Sequence, residues 1–230
     1  MPNKIVCLYS GGLDSTVCLY LAREQGQQII ALTVDYGQLH RKEITIASSH
    51  AYELQILHYH LKFNLPWKGS ALLDPNILLP TERAESEMKD IPATYVPARN
   101  TILLSLASSC AEAKGACSVV IGVNALDYSG YPDCRPEYIQ SFQDMIAKGT
   151  KTGVEKHPIK IQTPLLQMSK KEIVELGLRL KVPFEKTWSC YAGKEKPCGE
   201  CDSCILRAKG FSEAGVKDPL TAAESKAHGA

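Results

Sequence analysis

Apolar residues along the chain occur in short runs that alternate with longer segments of helical spacing. Residues 4–9 and 29–34 form the clearest continuous runs, and residues 56–63 alternate between apolar and polar positions. Residues 16–25 and 41–54, which lie between these runs, carry apolar side chains at the spacing of amphipathic helices. Because continuous apolar runs are typical of parallel strands buried on both faces, this part of the chain predicts the element order β-α-β-α-β.

The same alternation continues in the second half of the chain. It predicts a helix over residues 97–114, a strand over 119–123, a helix over 136–148 and a strand over 159–163. The sequence Ser-Lys-Lys-Glu at residues 169–172 has the spacing of a helix-capping box, which predicts a further helix over 170–180. Five strands separated by helices predict an α/β fold with a doubly wound, mostly parallel, Rossmann-like sheet.

Two segments depart from this alternation. Residues 64–96 are rich in proline and include a run of acidic and basic residues from 82 to 90, which predicts a long surface excursion that is either a functional lid or disordered. Residues 221–230 are small and polar, and they predict a flexible tail. We therefore expect a main domain over residues 1–184 and a small carboxyl-terminal region over residues 185–220.

The composition argues against some classes of protein, namely nucleic-acid-binding and membrane-spanning proteins. The chain of 230 residues carries 26 basic and 25 acidic side chains, and its net charge of +1 gives no basic surplus of the kind that proteins use to grip nucleic acid. No apolar run approaches the roughly 20 residues that cross a bilayer, and the chain enters a strand without a signal-like segment. We expect a cytoplasmic protein without direct nucleic-acid or membrane partners. The nine cysteines agree with this location, because an odd number with four members close together is not typical of a disulfide framework.

The first candidate site is the polar turn between the first predicted strand and helix. Its sequence is Ser10-Gly11-Gly12-Leu13-Asp14-Ser15. Two glycines allow positive φ and a close approach of the backbone to a ligand, while the start of the next helix contributes unpaired N–H groups and a partial positive charge. Neither a Walker A string nor the G-x-G-x-x-G fingerprint occurs here. The turn therefore predicts a cradle for an anion, and phosphate is the favoured one.

The second candidate site is a group of four cysteines near the carboxyl end. Cys190, Cys198, Cys201 and Cys204 have the spacing C-x7-C-x2-C-x2-C. Four soft ligands in so short a segment can surround one tetrahedral ion, which favours one structural zinc ion per chain. Iron–sulfur ligation is the alternative, because ligand spacing alone does not identify the metal. Cys134 stands apart in a polar loop, where packing or hydrogen bonding is favoured over nucleophilic catalysis.

Three segments carry a resemblance to a known family. Residues 10–15 match the S-G-G-x-D-S signature of the PP-loop ATP pyrophosphatases. Residues 122–135 have the sequence G-V-N-A-L-D-Y-S-G-Y-P-D-C-R, and W-S-C at residues 188–190 is followed by C-G-E-C-D-S-C at residues 198–204. In this order the segments closely resemble the 7-cyano-7-deazaguanine synthase family of queuosine biosynthesis, over about residues 4–215.

The resemblance implies a fold, a reaction and its cofactors. The fold is that of the adenine nucleotide alpha hydrolase-like group, with a small zinc-binding helical appendage at the carboxyl end. The reaction is the ATP-dependent conversion of 7-carboxy-7-deazaguanine and ammonia into 7-cyano-7-deazaguanine, a C–N ligase activity with ATP, Mg²⁺ and Zn²⁺ as cofactors. The expected intermediates are an adenylated carboxylate and then an adenylated amide. A homodimer is compatible with such a family.

The resemblance also implies roles for residues around ATP. The residues expected to contact the nucleotide are Leu8, Tyr9, Ser10, Gly11, Gly12, Leu13, Asp14, Ser15, Thr16, Leu32 and Val34. Leu32 and Val34 would line the adenine, although plain core packing is an equal alternative for both. Asp14, Ser15 and Arg99 are the expected catalytic residues. Arg99 is included because a guanidinium matches phosphate oxygens, with a surface ion pair as its alternative role.

A further group of residues is expected to bind the deazaguanine. Its members are Asp127, Tyr128, Tyr131, Asp133 and Arg135. Tyrosine rings suit a flat heterocycle, a carboxylate can accept from its amino group, and Arg135 could meet the substrate carboxylate with two parallel hydrogen bonds. The alternative is a tyrosine-rich loop that packs on its own domain. Lys170 or Lys171 could stabilise phosphate charge in the same way as Arg99, but a lysine pair at the start of a helix is more typical of a solvated face.

Two other functions stay open at this stage. A PP-loop tRNA thiolase would share the loop, but it would need an RNA-binding surface and a cysteine or cluster that carries sulfur. A non-catalytic module, either a nucleotide sensor or a zinc-ribbon binder of nucleic acid, would explain the cysteines. The complete S-G-G-L-D-S loop argues against a purely structural protein.

Overall fold

The computed structural model of the chain describes residues 3–83, 88, 90–126 and 130–222, and it contains a five-stranded sheet. The strands are β1 (Lys4–Leu8), β2 (Gln28–Asp35), β3 (Leu57–Lys62), β4 (Ser118–Val120) and β5 (Lys160–Gln162). Their order in the sheet is β3-β2-β1-β4-β5, and every neighbouring pair is parallel. The predicted α/β fold with a parallel sheet is confirmed.

Helices cover both faces of this sheet. They are α1 (Leu13–Glu24), α2 (Lys42–Glu53), α3 (Arg99–Lys114), α4 (Pro136–Gly149), α5 (Lys151–Val154), α6 (Lys170–Arg179), α7 (Asp202–Glu213) and α8 (Pro219–Ala222). On β1, Val6 and Leu8 belong to a core shared with α3 and α4, while Ile5 and Cys7 belong to a second core shared with α1 and α6. Alternate side chains of a buried strand thus enter different cores, which is why the strands have continuous apolar sequences.

Local signals explain where two of the helices begin. Helix α6 has the predicted capping box, in which the Ser169 side chain accepts from Glu172 N and the Glu172 carboxylate accepts from Ser169 N. Helix α3 begins at Arg99, two residues later than predicted, because Ala98 has a left-handed backbone with φ of 52°. Within the described residues, no helix is long and apolar enough to cross a membrane.

The segment between β3 and α3 differs from the predicted surface excursion. Leu65, Leu72 and Val96 are buried in the same core as Val6, so much of the segment packs on the domain. The proline count had suggested exposure, but apolar residues spaced between the prolines give the segment enough buried surface to fold onto the sheet. Residues 84–87 and 89 of the acidic and basic run lie outside the described residues, and its role as a lid stays a prediction.

A buried ion pair within the carboxyl-terminal region orients an arginine that also bonds to the end of the main domain. Arg207 on α7 donates from Nε and Nη2 to the two carboxylate oxygens of Asp218, at 2.6 and 2.9 Å. Its remaining donors reach the Thr187 hydroxyl at 2.8 Å and the Phe184 carbonyl at 3.0 Å. Both charged side chains are at least nine-tenths buried. This arrangement fixes the segment from Phe184 to Thr187, which leads toward the first cysteine. Residues 223–230 of the predicted tail lie outside the described residues.

We expect Asp218→Asn to destabilise the protein by about 3 kcal/mol, because removing one partner leaves the Arg207 charge buried without compensation. Urea denaturation measures this change. Glu213→Gln is the matched control, since Glu213 on the same helix forms an exposed pair with Lys209 at 3.7 Å and its loss should leave the midpoint unchanged. Equal midpoints for Asp218→Asn and the wild-type protein would show that the buried pair does not secure this region.

Candidate active site

The glycine loop of residues 10–15 connects β1 to α1 and is closed by its own serines. The Ser15 hydroxyl lies 3.1 Å from the Ser10 hydroxyl and donates to the Gly12 carbonyl at 3.1 Å. Gly12 N in turn donates to the Ser10 hydroxyl at 3.2 Å. Gly12 is the N-cap of α1 and has no side chain to cap it, so the amides of the first helical turn stay available to an anion.

Three neighbours hold the backbone of this loop. Gly11 has φ of +81°, and a Cβ atom placed there would lie 2.5 Å from the Glu43 carbonyl oxygen and 2.9 Å from Ala47 N on α2. Trp188 N donates to the Gly11 carbonyl at 3.0 Å. On the opposite side, a Cβ on Gly122 would lie 3.1 Å from Ser15 N. The loop therefore has a fixed path between α2, the carboxyl-terminal region and the end of β4.

Asp14 forms an ion pair with a lysine from a distant part of the chain. Lys170 Nζ lies 2.9 Å from both carboxylate oxygens of Asp14, and Lys170 is buried. The expectation of a solvated lysine pair is wrong for Lys170, because Gly210 on α7 allows that helix to pack on the lysine stem. A Cβ on Gly210 would lie 2.4 Å from Lys170 Cγ. The expectation is correct for Lys171, which is exposed and pairs with Glu175 at 3.7 Å.

A cavity of about 250 Å³ opens at the carboxyl ends of β1, β2 and β4, beside the loop. Most residues predicted to contact ATP line it, namely Leu8, Tyr9, Ser10, Gly12, Leu13, Asp14, Ser15, Leu32 and Val34. Gly11 and Thr16 are not part of its wall. They support it instead, Gly11 through its contact with α2 and Thr16 through a hydrogen bond from its hydroxyl to the Gly12 carbonyl at 2.7 Å. Ligands of open α/β sheets bind at this edge.

Arg99 and Tyr131 reach the same cavity from other elements. Arg99, the first residue of α3, donates from Nη1 to the Tyr36 hydroxyl at 3.4 Å. The Tyr131 hydroxyl lies 2.8 Å from the Thr94 hydroxyl, and both tyrosines line the cavity. Tyr36 was missed in the sequence, although its position directly after the buried strand β2 places it at the ligand-binding edge.

Two other residues predicted to bind substrate, Asp133 and Arg135, do not line the cavity. Asp133 is buried, and its Oδ2 accepts from Asn100 N at 3.0 Å, so this carboxylate caps helix α3. Arg135 is exposed at the N-cap of α4 and lies outside the cavity wall. Asp127 and Tyr128 lie outside the described residues.

Cys134 lines the cavity as a neutral thiol. Burial raises its pKa to about 12, and its Sγ accepts from Asn100 Nδ2 at 3.3 Å. A thiol with so high a pKa is a poor nucleophile near neutral pH. The structure therefore agrees with packing and hydrogen bonding, the role favoured from the sequence.

The four carboxyl-terminal cysteines form one compact group. The Sγ atoms of Cys190, Cys198, Cys201 and Cys204 all lie within 4.8 Å of one another, and none is in a disulfide. Tetrahedral zinc with Zn–S bonds of about 2.3 Å needs sulfurs roughly 3.8 Å apart, which this group approaches. Backbone N–H groups of Ala192 and Cys198 donate to the Cys190 sulfur at 3.4 and 3.3 Å. The donor set fits a metal ion that takes four thiolates.

Hydrogen bonds and neighbouring residues connect this cysteine group to the cavity wall. Trp188 Nε1 donates to the Cys190 carbonyl at 2.9 Å, and both Trp188 and Tyr191 line the cavity. Cys201 also forms an isolated antiparallel bridge with Thr81, and next to it Arg83 pairs with Asp202 at 2.9 Å. None of the contacts made by Trp188, Tyr191 or Thr81 was predicted, because they join segments that are distant in sequence.

These features define an α/β protein with a glycine loop that presents helix amides to a cavity, beside a four-cysteine site able to hold a metal. The family described as "Queuosine biosynthesis protein QueC" matches residues 4–215, and the chain belongs to this family.

The similar proteins agree with this assignment. A protein of Trichodesmium erythraeum named "7-cyano-7-deazaguanine synthase" is 53% identical over 94% of this chain and 99% of its own length. A Thermoplasma volcanium protein of the same name is 48% identical over 96% of this chain and 91% of its own length. Among solved structures, NMN synthetase from Francisella tularensis matches 96% of this chain and 81% of its own length, with a TM-score of 0.48 and 19% sequence identity.

We expect Gly11→Ala to destabilise the protein more than Gly26→Ala. Both glycines have positive φ, which costs an alanine roughly 1 kcal/mol, but a Cβ on Gly26 has nothing within 4 Å. At Gly11 the added Cβ must also displace α2, which adds about 1–3 kcal/mol. Urea unfolding of the two variants gives the difference, and equal losses would show that the loop and α2 are not in close contact.

Proposed function

We propose that this chain converts 7-carboxy-7-deazaguanine and ammonia into 7-cyano-7-deazaguanine, using ATP to activate the substrate. The observation that carries the proposal is the match to one family over nearly the whole chain, together with relatives that bear the name of this activity. The loop and its cavity support it, because the proposed phosphate site adjoins a wall that contains several tyrosines and Arg99.

The chemistry requires activation, because a carboxylate carries a negative charge and has no good leaving group. A carboxylate oxygen attacks the α-phosphorus of ATP, and pyrophosphate leaves. Ammonia then attacks the acyl carbon, AMP leaves with the substrate oxygen, and a proton is lost to give the amide. The amide oxygen attacks a second ATP in the same way. Loss of the remaining N–H protons and departure of AMP then form the nitrile.

The residues of the loop have defined roles in this scheme. Helix amides and the hydroxyls of Ser10 and Ser15 hold the phosphates as pyrophosphate departs. Asp14 would hold Mg²⁺, which when bound supplies positive charge to the phosphates. Lys170, which is paired with Asp14 and lines the same cavity, shares the neutralisation of the phosphate charge. The four cysteines hold zinc as a structural ion, since a full coordination shell leaves no position for substrate.

Direct assay tests this function. Purified protein with ATP, Mg²⁺, ammonium and the carboxylic acid is expected to give the nitrile, detected by mass, with two AMP and two pyrophosphate for each nitrile. Release of ADP and phosphate would contradict the scheme.

Lys170→Gln should lower kcat/KM at least about tenfold, the loss typical of hydrogen bonds to charged groups. Lys171→Gln is its control and should match the wild-type protein.

We expect one zinc ion per chain, bound by the cysteine group. Cys198→Ser should lose this ion during dialysis against a chelator and unfold at a lower temperature, because metal binding contributes to folding. Cys117→Ser, which changes an exposed cysteine outside the group, should retain both the zinc and the melting temperature. Elemental analysis measures the metal. Iron with the broad visible absorbance of a cluster would instead support the iron–sulfur alternative.

The homodimer, the cytoplasmic location and the lack of direct nucleic-acid binding stay predictions. Each follows from the composition or from the family resemblance, and each is independent of the chemistry above.

A further inference from the structure

Arg99 is a partly buried cation in the cavity wall, and no carboxylate among the described residues pairs with it. Its Nη1 donates to the Tyr36 hydroxyl, and its guanidinium also interacts electrostatically with the hydroxyls of Tyr131 and Tyr191. Burial raises the pKa of Tyr36 and of Tyr131, so these hydroxyls stay protonated and do not themselves neutralise the guanidinium charge. A charge in such surroundings favours an anionic ligand.

The backbone around Arg99 is fixed without a ligand. Ala98 has φ of 52° and ψ of 26°, a left-handed conformation that is uncommon for a residue with a Cβ atom, and its N–H donates to the Tyr95 hydroxyl at 3.0 Å. On the other side, Asn100 N donates to the carboxylate of Asp133. Strained conformations persist where the surroundings determine them fully, and they concentrate at ligand sites.

The cavity wall contains two chemically different groups of residues. The loop group comprises the helix amides, the two serine hydroxyls and the ion pair of Asp14 with Lys170. The aromatic group comprises Arg99 and the tyrosines around it, and no hydrogen bond within the described residues joins Arg99 to the loop. Phosphates suit the loop group. Tyrosine rings and a guanidinium fork suit a flat heterocycle that bears a carboxylate.

We propose that Arg99, and not Arg135, binds the carboxylate of the substrate, with both carboxylate oxygens accepting from its guanidinium fork. The proposal deepens the proposed function and rests on it. It differs from the role predicted from the sequence, in which Arg99 contacts the phosphates of ATP. The α-phosphate is the competing anion, and the experiment distinguishes the two.

The carboxylic acid and the corresponding amide separate these roles, because only the acid carries the charge that Arg99 would bind. Equilibrium binding is measured by calorimetry for both compounds, with and without a non-hydrolysable α,β-methylene analogue of ATP. Arg99→Lys and Arg99→Gln should weaken binding of the acid by about 10- to 100-fold, the loss typical of charge-assisted hydrogen bonds. Binding of the amide should weaken less than binding of the acid, because a neutral oxygen accepts a weaker hydrogen bond from the guanidinium. Binding of the ATP analogue should change by less than about threefold, which also shows that the variants are folded.

Arg179→Lys is the control, since Arg179 is an exposed arginine in the last turn of α6 and should leave all three affinities unchanged. Loss of the acid's affinity in Arg135→Lys but not in Arg99→Lys would overturn the proposal in favour of the sequence prediction. Weaker binding of the ATP analogue in the Arg99 variants, with unchanged binding of the acid, would assign Arg99 to the phosphate. If the wild-type protein binds neither acid nor amide, the proposed function fails along with the inference.

Discussion

The site depends on a close contact between two backbones. Gly11 lies against the Glu43 carbonyl and the Ala47 amide of helix α2, at a distance that leaves no room for a Cβ atom. The Trp188 N–H holds the Gly11 carbonyl from the other side. Because the loop is fixed between α2 and the carboxyl-terminal region, the path of its backbone is determined by the surrounding chain. If the loop binds phosphate as proposed, such a fixed site would lose little conformational entropy on binding, which raises affinity without additional contacts.

Trp188 also connects the cysteine group to the main domain. Trp188 holds the loop through its N–H and holds Cys190 through its indole, so one residue joins the two sites. Lys42 on α2 lies 3.9 Å above the Trp188 ring, which adds a third attachment. A metal in the cysteine group would therefore stabilise the wall of the cavity, although its own coordination shell does not face a substrate. A structural ion can influence catalysis in this way by positioning side chains.

Sequence reasoning succeeded where the determining interactions are local. Buried parallel strands, the capping box at Ser169 and the glycine loop each have signals within a few residues, and the structure has all of them. It failed for charged residues, whose environment is decided by distant segments. Lys170 and Lys171 are adjacent and chemically identical, yet only Lys170 is buried, because Gly210 on another helix makes room for it. Asp133 was expected at the ligand and instead caps α3, a contact that no local pattern indicates.

A single cavity can support two successive activations if the reacting oxygen keeps its position while the group around it changes. The guanidinium of Arg99 has only donors, so it attracts the oxygens of a carboxylate and, in the amide, attracts the oxygen but not the NH₂ group. On the proposed assignment, Arg99 therefore holds the amide with its oxygen at the place that the attacking carboxylate oxygen had occupied. The loop group then needs no rearrangement between the two ATP molecules. Lysine keeps the charge but lacks the planar fork, so it would fix this orientation less well.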